Sequence, residues 1–409
     1  MPELQKVEHL FRHEYGKMVA LLTGRYSSRH IELIEDAVQD ALLKAMQIWG
    51  YQKPPDNPSG WLYRVANNRI IDHLRRSKKV VDFETISQVI ALDEGEPTLS
   101  GELADSQLKM IFACCHPELS QSQQVMLSLK LLCGLSVREI SRAFMKKDDS
   151  VKRIITRAKS RFREKVGVLS VPVGSALKSR IDAVLKVLYL MFNEGYKATD
   201  GELLTKNEIC EEAIRLGGIL LSNPHCDTPE VNALMSLMCL NASRLKARIN
   251  QDGDLCTLEN QDRTKWDGES IEWGLYFLKQ SARGDRISQY HIEAGIASHY
   301  ATAPSFDETD WQAILDLYNL LLNLNPSPFV KLNRIVVFSK IRGAEAGLRE
   351  LAASNTPAMK KNHLFYSIRS DLRAAAGLKA EAFEDLRRAT DLAENAVERR
   401  FLESKMSTL

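Results

Sequence analysis

The 409-residue sequence has almost no stretch in which apolar and polar residues alternate one by one. That absence excludes a half-buried sheet, because strands with one solvated face read with a period of two. No apolar run approaches the roughly 20 residues that a membrane-spanning helix needs, so no membrane partner is expected. The opening Met1-Pro2-Glu3-Leu4-Gln5-Lys6 lacks the basic-then-apolar order of a secretory leader. Seven cysteines, at 114, 115, 133, 210, 226, 239 and 256, include no CxxC pair. An odd, scattered set in apolar contexts reads as reduced, buried thiols of a cytoplasmic protein. Cys114-Cys115-His116 and His225-Cys226 have no second ligand pair at a useful spacing, and no metal is expected. A GxxxxGK[ST] loop, an HExxH helix, a GxSxG elbow and a Gly-rich dinucleotide turn are all missing, so neither enzymatic activity nor an organic cofactor is expected.

What is present is helical. Apolar residues recur at three- and four-residue spacing along the chain, which predicts an all-α fold. With 44% hydrophobic residues the chain can bury cores in two or three domains. Turn signals at 53–60, 93–97 and 171–174 divide it into a helical block over 1–80, a linker over 81–105, a second block over 106–167 and a long helical region over 176–409.

The net charge of +2 conceals a strong local pattern. Between Val81 and Asp105 the charged residues are Asp82, Glu84, Asp93, Glu94, Glu96, Glu102 and Asp105, with no Lys or Arg. The flanking segments are basic. Arg64, Arg69, Arg75, Arg76, Lys78 and Lys79 precede the linker, and nine cations lie between Lys146 and Lys165.

Three motifs carry chemistry. In the second block, Leu135-Ser-Val-Arg-Glu-Ile140 opens a helix that Ser136 caps with Glu139 three residues on, a capping box. After a polar stretch, Ser150–Phe162 forms a basic helix with Val151, Ile154, Ile155 and Ala158 inward, and Lys152, Arg153, Thr156, Arg157 and Lys159 outward. This is a helix-turn-helix layout whose second helix fits a major groove. In the first block, Trp61 and Tyr63 stand at the entrance of a helix bearing Arg64, Asn67, Arg69, Arg75 and Arg76. Rings beside cations suit single-stranded DNA, since exposed bases stack while cations neutralise phosphates. Upstream, Glu35, Asp36, Gln39 and Asp40 share a polar helical face opposite Ile34, Val38, Ala41 and Leu42, a face able to dock on a basic protein helix.

Leu10-Phe-Arg-His-Glu-Tyr15, Glu35-Asp-Ala-Val-Gln-Asp-Ala41, Gly60-Trp-Leu-Tyr-Arg-Val-Ala-Asn-Asn-Arg69 and Lys152-Arg-Ile-Ile-Thr-Arg-Ala-Lys159, in that order, resemble an extracytoplasmic-function sigma factor of bacterial RNA polymerase. The resemblance covers about residues 6–167. It implies that residues 1–80 are sigma domain 2 and 106–167 sigma domain 4, with core RNA polymerase and promoter DNA as partners. By the same resemblance Asp36, Gln39 and Asp40 face the polymerase clamp helices. Asn57, Trp61, Tyr63, Arg64, Asn67, Arg69, Arg75 and Arg76 melt and read the −10 element. Ser150, Lys152, Arg153, Thr156, Arg157 and Lys159 meet the −35 element. The anionic linker then reads as a mimic of nascent RNA in the polymerase channel.

A minimal factor of this kind ends near residue 170. Val184–Tyr196, with its Asn193-Glu-Gly-Tyr196 turn, and Ile209–Leu216 resemble the extension of one sigma subgroup, which is tetratricopeptide-like towards its end. Ile314, Tyr318 and Leu321, and later Gly377, Ala382, Leu386 and Ala389, fit paired helices of such a repeat. A helical-repeat surface suits a protein partner or an intramolecular one, and so regulation. The rival from another class is a helix-turn-helix regulator that acts without polymerase and carries a repeat domain for protein binding.

Overall fold

The structure is a computed structural model that describes residues 2–49, 51, 53–77, 100–144, 146–196, 203–250, 254–354, 356–357, 359–393 and 396–409. Most of the acidic linker, residues 78–99, lies outside the described residues. Among the described residues the fold is all-α, its sole β feature being an isolated bridge between Ile249 and Leu255. No helix there is long and apolar enough to cross a membrane. The chain forms two compact units: Met1–Gly195 with Glu211–Leu220, and Tyr196–Cys210 with Leu221–Leu409.

The first unit begins with α1 (Pro2–Tyr26), α2 (Ile31–Trp49) and α3 (Pro58–Ser77). Ile31, Ile34, Val38, Ala41 and Ala45 repeat at three to four residues on α2, so all fall on one side and all are buried. Met18, Val19 and Leu22 of α1 and Leu62, Ala66 and Ile70 of α3 complete this core. Four helices follow: α4 (Ser100–Cys114), α5 (Gln121–Leu131), α6 (Val137–Ala143) and α7 (Asp148–Lys165). Their core holds Met110, Ile111 and Phe112, Val125, Met126 and Leu127, and Ile140. The Ser136–Glu139 capping box is present in both directions, at 3.2 Å and 2.7 Å.

On α7 the buried stripe is Val151, Ile155, Ala158 and Phe162, whereas Ile154 is half-buried. The helix starts at Asp148, two residues before the expected Ser150, because Asp148 and Asp149 place negative charge in its first turn where the helix dipole favours it. The unit also takes in most of α8 (Ser175–Tyr196) and the C-terminal half of α9 (Leu203–Leu221) up to Leu220.

The second unit centres on α10 (Pro229–Ala242), whose residues Val231–Leu240 are all buried. Against it lie α11 (Gly268–Ser281) and α12 (Gln289–Thr302). A Cβ at Gly274 would stand 2.6 Å from the Leu240 Cγ, so only glycine lets α11 come this close. The Ser236 hydroxyl uses that approach to donate to the Gly274 carbonyl at 2.7 Å. Then come α13 (Trp311–Leu324), α14 (Pro328–Arg342), α15 (Ala344–Ala353), α16 (His363–Ala375), α17 (Lys379–Leu392) and α18 (Ala396–Ser407), each packed on the next. Their apolar residues form successive small cores. Val330 and Val337 of α14 join one and Leu332 and Ile335 the next, so α14 buries two faces. Ile314, Leu321, Ala382, Leu386 and Ala389 are buried as their spacing predicts.

Among these residues sits one buried acid. Asp385 accepts from Arg369 Nε at 2.8 Å and from Arg373 Nη1 at 2.8 Å, joining α16 to α17. Replacing Asp385 with Ala would strand two guanidinium groups at a buried site. We expect the second unit to lose about 3 kcal/mol in urea unfolding, with Asp385→Asn losing less.

Candidate nucleic-acid and protein interface

The entrance of α3 is built by Asn57 and Pro58. The Asn57 side chain accepts from the Gly60 N–H at 2.9 Å and its carbonyl from the Trp61 N–H at 3.1 Å, while Pro58 is preset for the first helical position. Trp61 is half-buried against Trp49, ring centres 5.5 Å apart. Tyr63 and Asn67 sit inside the bundle. The Tyr63 hydroxyl accepts from Arg25 Nη1 at 2.9 Å, and Asn67 Oδ1 from the Tyr26 hydroxyl at 2.7 Å. The structure therefore places these two among the groups that fix α3 on α1, whereas the sequence pattern puts them on its open face. Arg64, Arg69, Arg75 and Arg76 are exposed, joined by Asn68, which the sequence reading passed over in favour of its neighbour. Arg69 forms an ion pair with Asp40, tying α3 to α2.

On α2, Asp36 and Gln39 are exposed and Asp40 is half-exposed. The outward face continues through Leu43 and Met46, each 55% exposed, which are large apolar residues on a helix that already has a full inward stripe. The sequence held a signal for them: they lie one and two turns beyond Gln39. Glu35 departs from this face. It is 3% exposed, accepts from the Tyr15 hydroxyl at 3.0 Å, and pairs with Lys159 of α7. Burial and the adjacent Glu35 push the Tyr15 hydroxyl well above its ordinary pKa. Nearby Lys130 is held below its usual value by burial, with Lys159 adding to the shift and Glu35 opposing it. One carboxylate thus receives a tyrosine and a lysine, with a second lysine in its field.

Lys159 accordingly differs from the expectation that it points outward with the reading face. It lies one turn past the buried Ile155, and its amine meets Glu35. Lys152, Arg153, Thr156 and Arg157 are exposed, and Ser150, in the first turn, is half-buried. Arg153 Nε donates to the Asp149 carbonyl at 3.2 Å and Thr156 to the Lys152 carbonyl at 2.8 Å, bonds that lie along the helix and leave its outer face charged.

Of the residues in the Cys-His motifs, Cys114, Cys115 and Cys226 are buried, His116 is half-buried and His225 is exposed. Burial raises Cys115 to about 12 and Cys239 to about 12, and lowers His116. His291 Nδ1 accepts from the Ser288 N–H at 3.1 Å, completing a helix cap. Among the described residues no group of three or more His, Cys, Asp or Glu is gathered to hold a metal.

Comparison with known proteins places these features. Residues 10–80, most of α1 with α2 and α3, match the family model for sigma-70 region 2. Residues 180–282 match a family of unknown function (DUF6596). The chain is 34% identical over 386 residues to the uncharacterized protein R00370 of Rhizobium meliloti, covering 93% of this chain and 91% of that protein. It is 23% identical over 158 residues to the ECF RNA polymerase sigma factor SigM of Bacillus subtilis, covering 38% of this chain and 93% of SigM. No solved structure matches. The chain belongs to one family with R00370 over almost its whole length, and its residues 10–80 are similar to sigma-70 region 2.

Proposed function

We propose that the protein is an initiation factor that joins core RNA polymerase, recognises −10 and −35 promoter elements and starts transcription. The observation that carries this reading is the coincidence of sigma-70 region 2 with a bundle whose α2 offers an acidic-apolar face and whose α3 offers a cationic one. Asp36, Gln39 and Asp40 contact the polymerase, and Leu43 and Met46 extend that contact, since a desolvated apolar centre is what gives a protein interface its affinity.

The −10 element meets Asn57 and Trp61 at the α3 entrance and Arg64, Asn68, Arg69, Arg75 and Arg76 along it. Tyr63 and Asn67 act from inside by holding the helix at its angle. The −35 element meets Ser150, Lys152, Arg153, Thr156 and Arg157 on α7, entering as the second helix of a helix-turn-helix, with Lys159 joining only when it leaves Glu35. Cations fix the register on phosphates, and the few side chains reaching base edges supply sequence preference. The acids of residues 81–105 occupy the channel that later holds RNA. The extension, read as tetratricopeptide-like repeats, governs access to the first unit by binding a protein or the protein's own domains.

The test is run-off transcription from genomic promoter fragments with purified core polymerase. Discrete transcripts that require both components support the reading; a protein that binds duplex DNA yet neither associates with core enzyme nor yields transcripts would be the polymerase-independent regulator. Neutralising Lys152 and Arg153 together should lower the slope of log affinity for −35 duplex against log salt by about 2, near one unit per lost phosphate contact, measured by fluorescence anisotropy. Arg64→Ala should weaken promoter binding while leaving stability within about 0.5 kcal/mol. Asn67→Ala should instead cost about 1 kcal/mol in thermal unfolding, because it removes the buried hydrogen bond that the Tyr26 hydroxyl donates.

A further inference from the structure

The second unit carries a cluster of cations that the proposed function leaves unused. Arg244 and Arg248 lie in the turn that follows α10, and Arg263 in the short turn before α11. All three converge on two rings. The Arg263 guanidinium stands 4.5 Å from the centre of the Trp266 ring, and that of Arg244 stands 5.8 Å from the same centre. The Arg248 guanidinium lies 3.7 Å from the ring centre of Tyr196, the last residue of α8. Arg244 joins the two rings, because its Nη2 donates to the Tyr196 hydroxyl at 2.9 Å.

Three guanidiniums gathered in this way repel one another and give up hydration, so a fold keeps them together only with compensation. Neutral acceptors supply part of it. Arg263 Nη1 donates to the Tyr300 and Ala303 carbonyls at the end of α12, at 3.1 and 2.6 Å. Arg244 Nη2 donates to Asn241 Oδ1 at 2.9 Å, and Arg248 Nη1 to the Tyr196 carbonyl. No carboxylate helps: among the described residues none of the three arginines forms an ion pair. The acids beside Arg263 in sequence are engaged elsewhere. Asp262 accepts from the Thr264 N–H at 3.0 Å and its hydroxyl at 2.6 Å, and Asp267 from the Ser270 N–H at 3.2 Å.

Two donors have no acceptor at all. Arg263 Nη2 and Trp266 Nε1 are shut off from solvent and hydrogen-bonded to nothing. A buried N–H in that state is rare and costs about 1–3 kcal/mol. Here both orphans belong to one stacked pair. Burial and the neighbouring Arg244 hold the Arg263 guanidinium below its ordinary pKa, the direction expected of a cation without a counter-charge. Stacking occupies the flat faces of the guanidiniums and leaves their in-plane N–H groups for another partner.

We propose that this cluster is a binding site for a small phosphate-bearing anion, held by Arg244, Arg248 and Arg263 with Trp266 Nε1 as a further donor. A phosphate matches it better than a carboxylate does, since it offers three acceptor oxygens and a charge approaching −2 to three planar forks. The four side chains are each half-buried, so the cluster is reached from solvent, and the ligand gains its inner donors when the Trp266 or Arg263 side chain turns toward it. All of these residues and Tyr196 fall within 180–282, the span that matches a family of unknown function. The site is independent of what the first unit binds.

Isothermal calorimetry on the full chain, dialysed free of phosphate, tests it with inorganic phosphate, glycerol 3-phosphate and citrate at equal ionic strength, against a sodium chloride blank. One phosphate group per chain is expected, with a Kd below about 1 mM. Arg244→Gln and Arg248→Gln should each weaken binding by about tenfold or more, as the loss of a charge-assisted hydrogen bond does. Arg263 is left intact because it also holds the end of α12. Lys246→Gln, which removes an exposed cation from the same turn, should keep the affinity within about twofold. Circular dichroism checks that each variant is folded. Tighter binding of glycerol 3-phosphate than of inorganic phosphate supports the site with an organic ester as its ligand, and the reverse order supports it with the free ion. Heat no greater than the chloride blank in the unaltered protein overturns the site. So does an unchanged affinity in both arginine variants, or an equal loss in Lys246→Gln, which marks diffuse attraction to a basic surface. Citrate binding more tightly than either phosphate overturns the phosphate assignment.

Discussion

A single buried carboxylate organises the first unit. Glu35 stands on the apolar side of α2, where an ionised acid is costly unless it is paired and hydrogen-bonded. Its partners come from both blocks: Tyr15 from α1 and Lys159 from α7. Removing Glu35 would leave Lys130 and Lys159 facing each other near a buried ring. The two blocks also meet where α1 packs on α4, and the Glu35 contact adds to that packing a polar link that costs desolvation to make and is specific in geometry.

The same division explains where charge is displayed. Each amphipathic helix of the first unit has one stripe consumed by a core, and what is left over is chemically distinct from helix to helix: acid with Leu43 and Met46 on α2, guanidinium with amide on α3, mixed lysine and arginine on α7. Three differently charged faces on one small bundle are expected of a protein that has to engage both a protein and a polyanion. The second unit also has a basic helix, α14, which bears Lys331, Arg334, Lys340 and Arg342 and no acid. Its helices pass their apolar residues from one small core to the next, with Asp385 clasped by Arg369 and Arg373 where α16 meets α17. Stability in such a row is local, each helix pair depending chiefly on its neighbours.

Much of this was legible in the residues. The all-α fold, the Ser136 cap, the inward Val151, Ile155 and Ala158, and the outward Asp36, Gln39, Lys152, Arg153 and Arg157 follow from helical periodicity alone. What periodicity misses is decided by distant partners. Glu35 lies at the border of its polar face and turns inward because Tyr15 and Lys159 are there to receive it. Tyr63 and Asn67 look like surface groups beside arginines, yet Arg25 and Tyr26 reach over from α1 and bury them. Gly16 reads as an ordinary weak point in a helix, and only the Leu132 carbonyl beside it explains the absence of a side chain. Asp385, placed between Ala382, Leu386 and Ala389, falls on an apolar stripe that the two arginines make habitable.

The central claim is that this chain opens promoter DNA only in company with core polymerase. Permanganate footprinting on a supercoiled promoter measures that directly, since unpaired thymines react and paired ones do not. The account predicts reactive thymines just upstream of the start site when both proteins are present and none with either alone. Thymines that remain protected in the presence of both, or that react with this protein in the absence of polymerase, would contradict it.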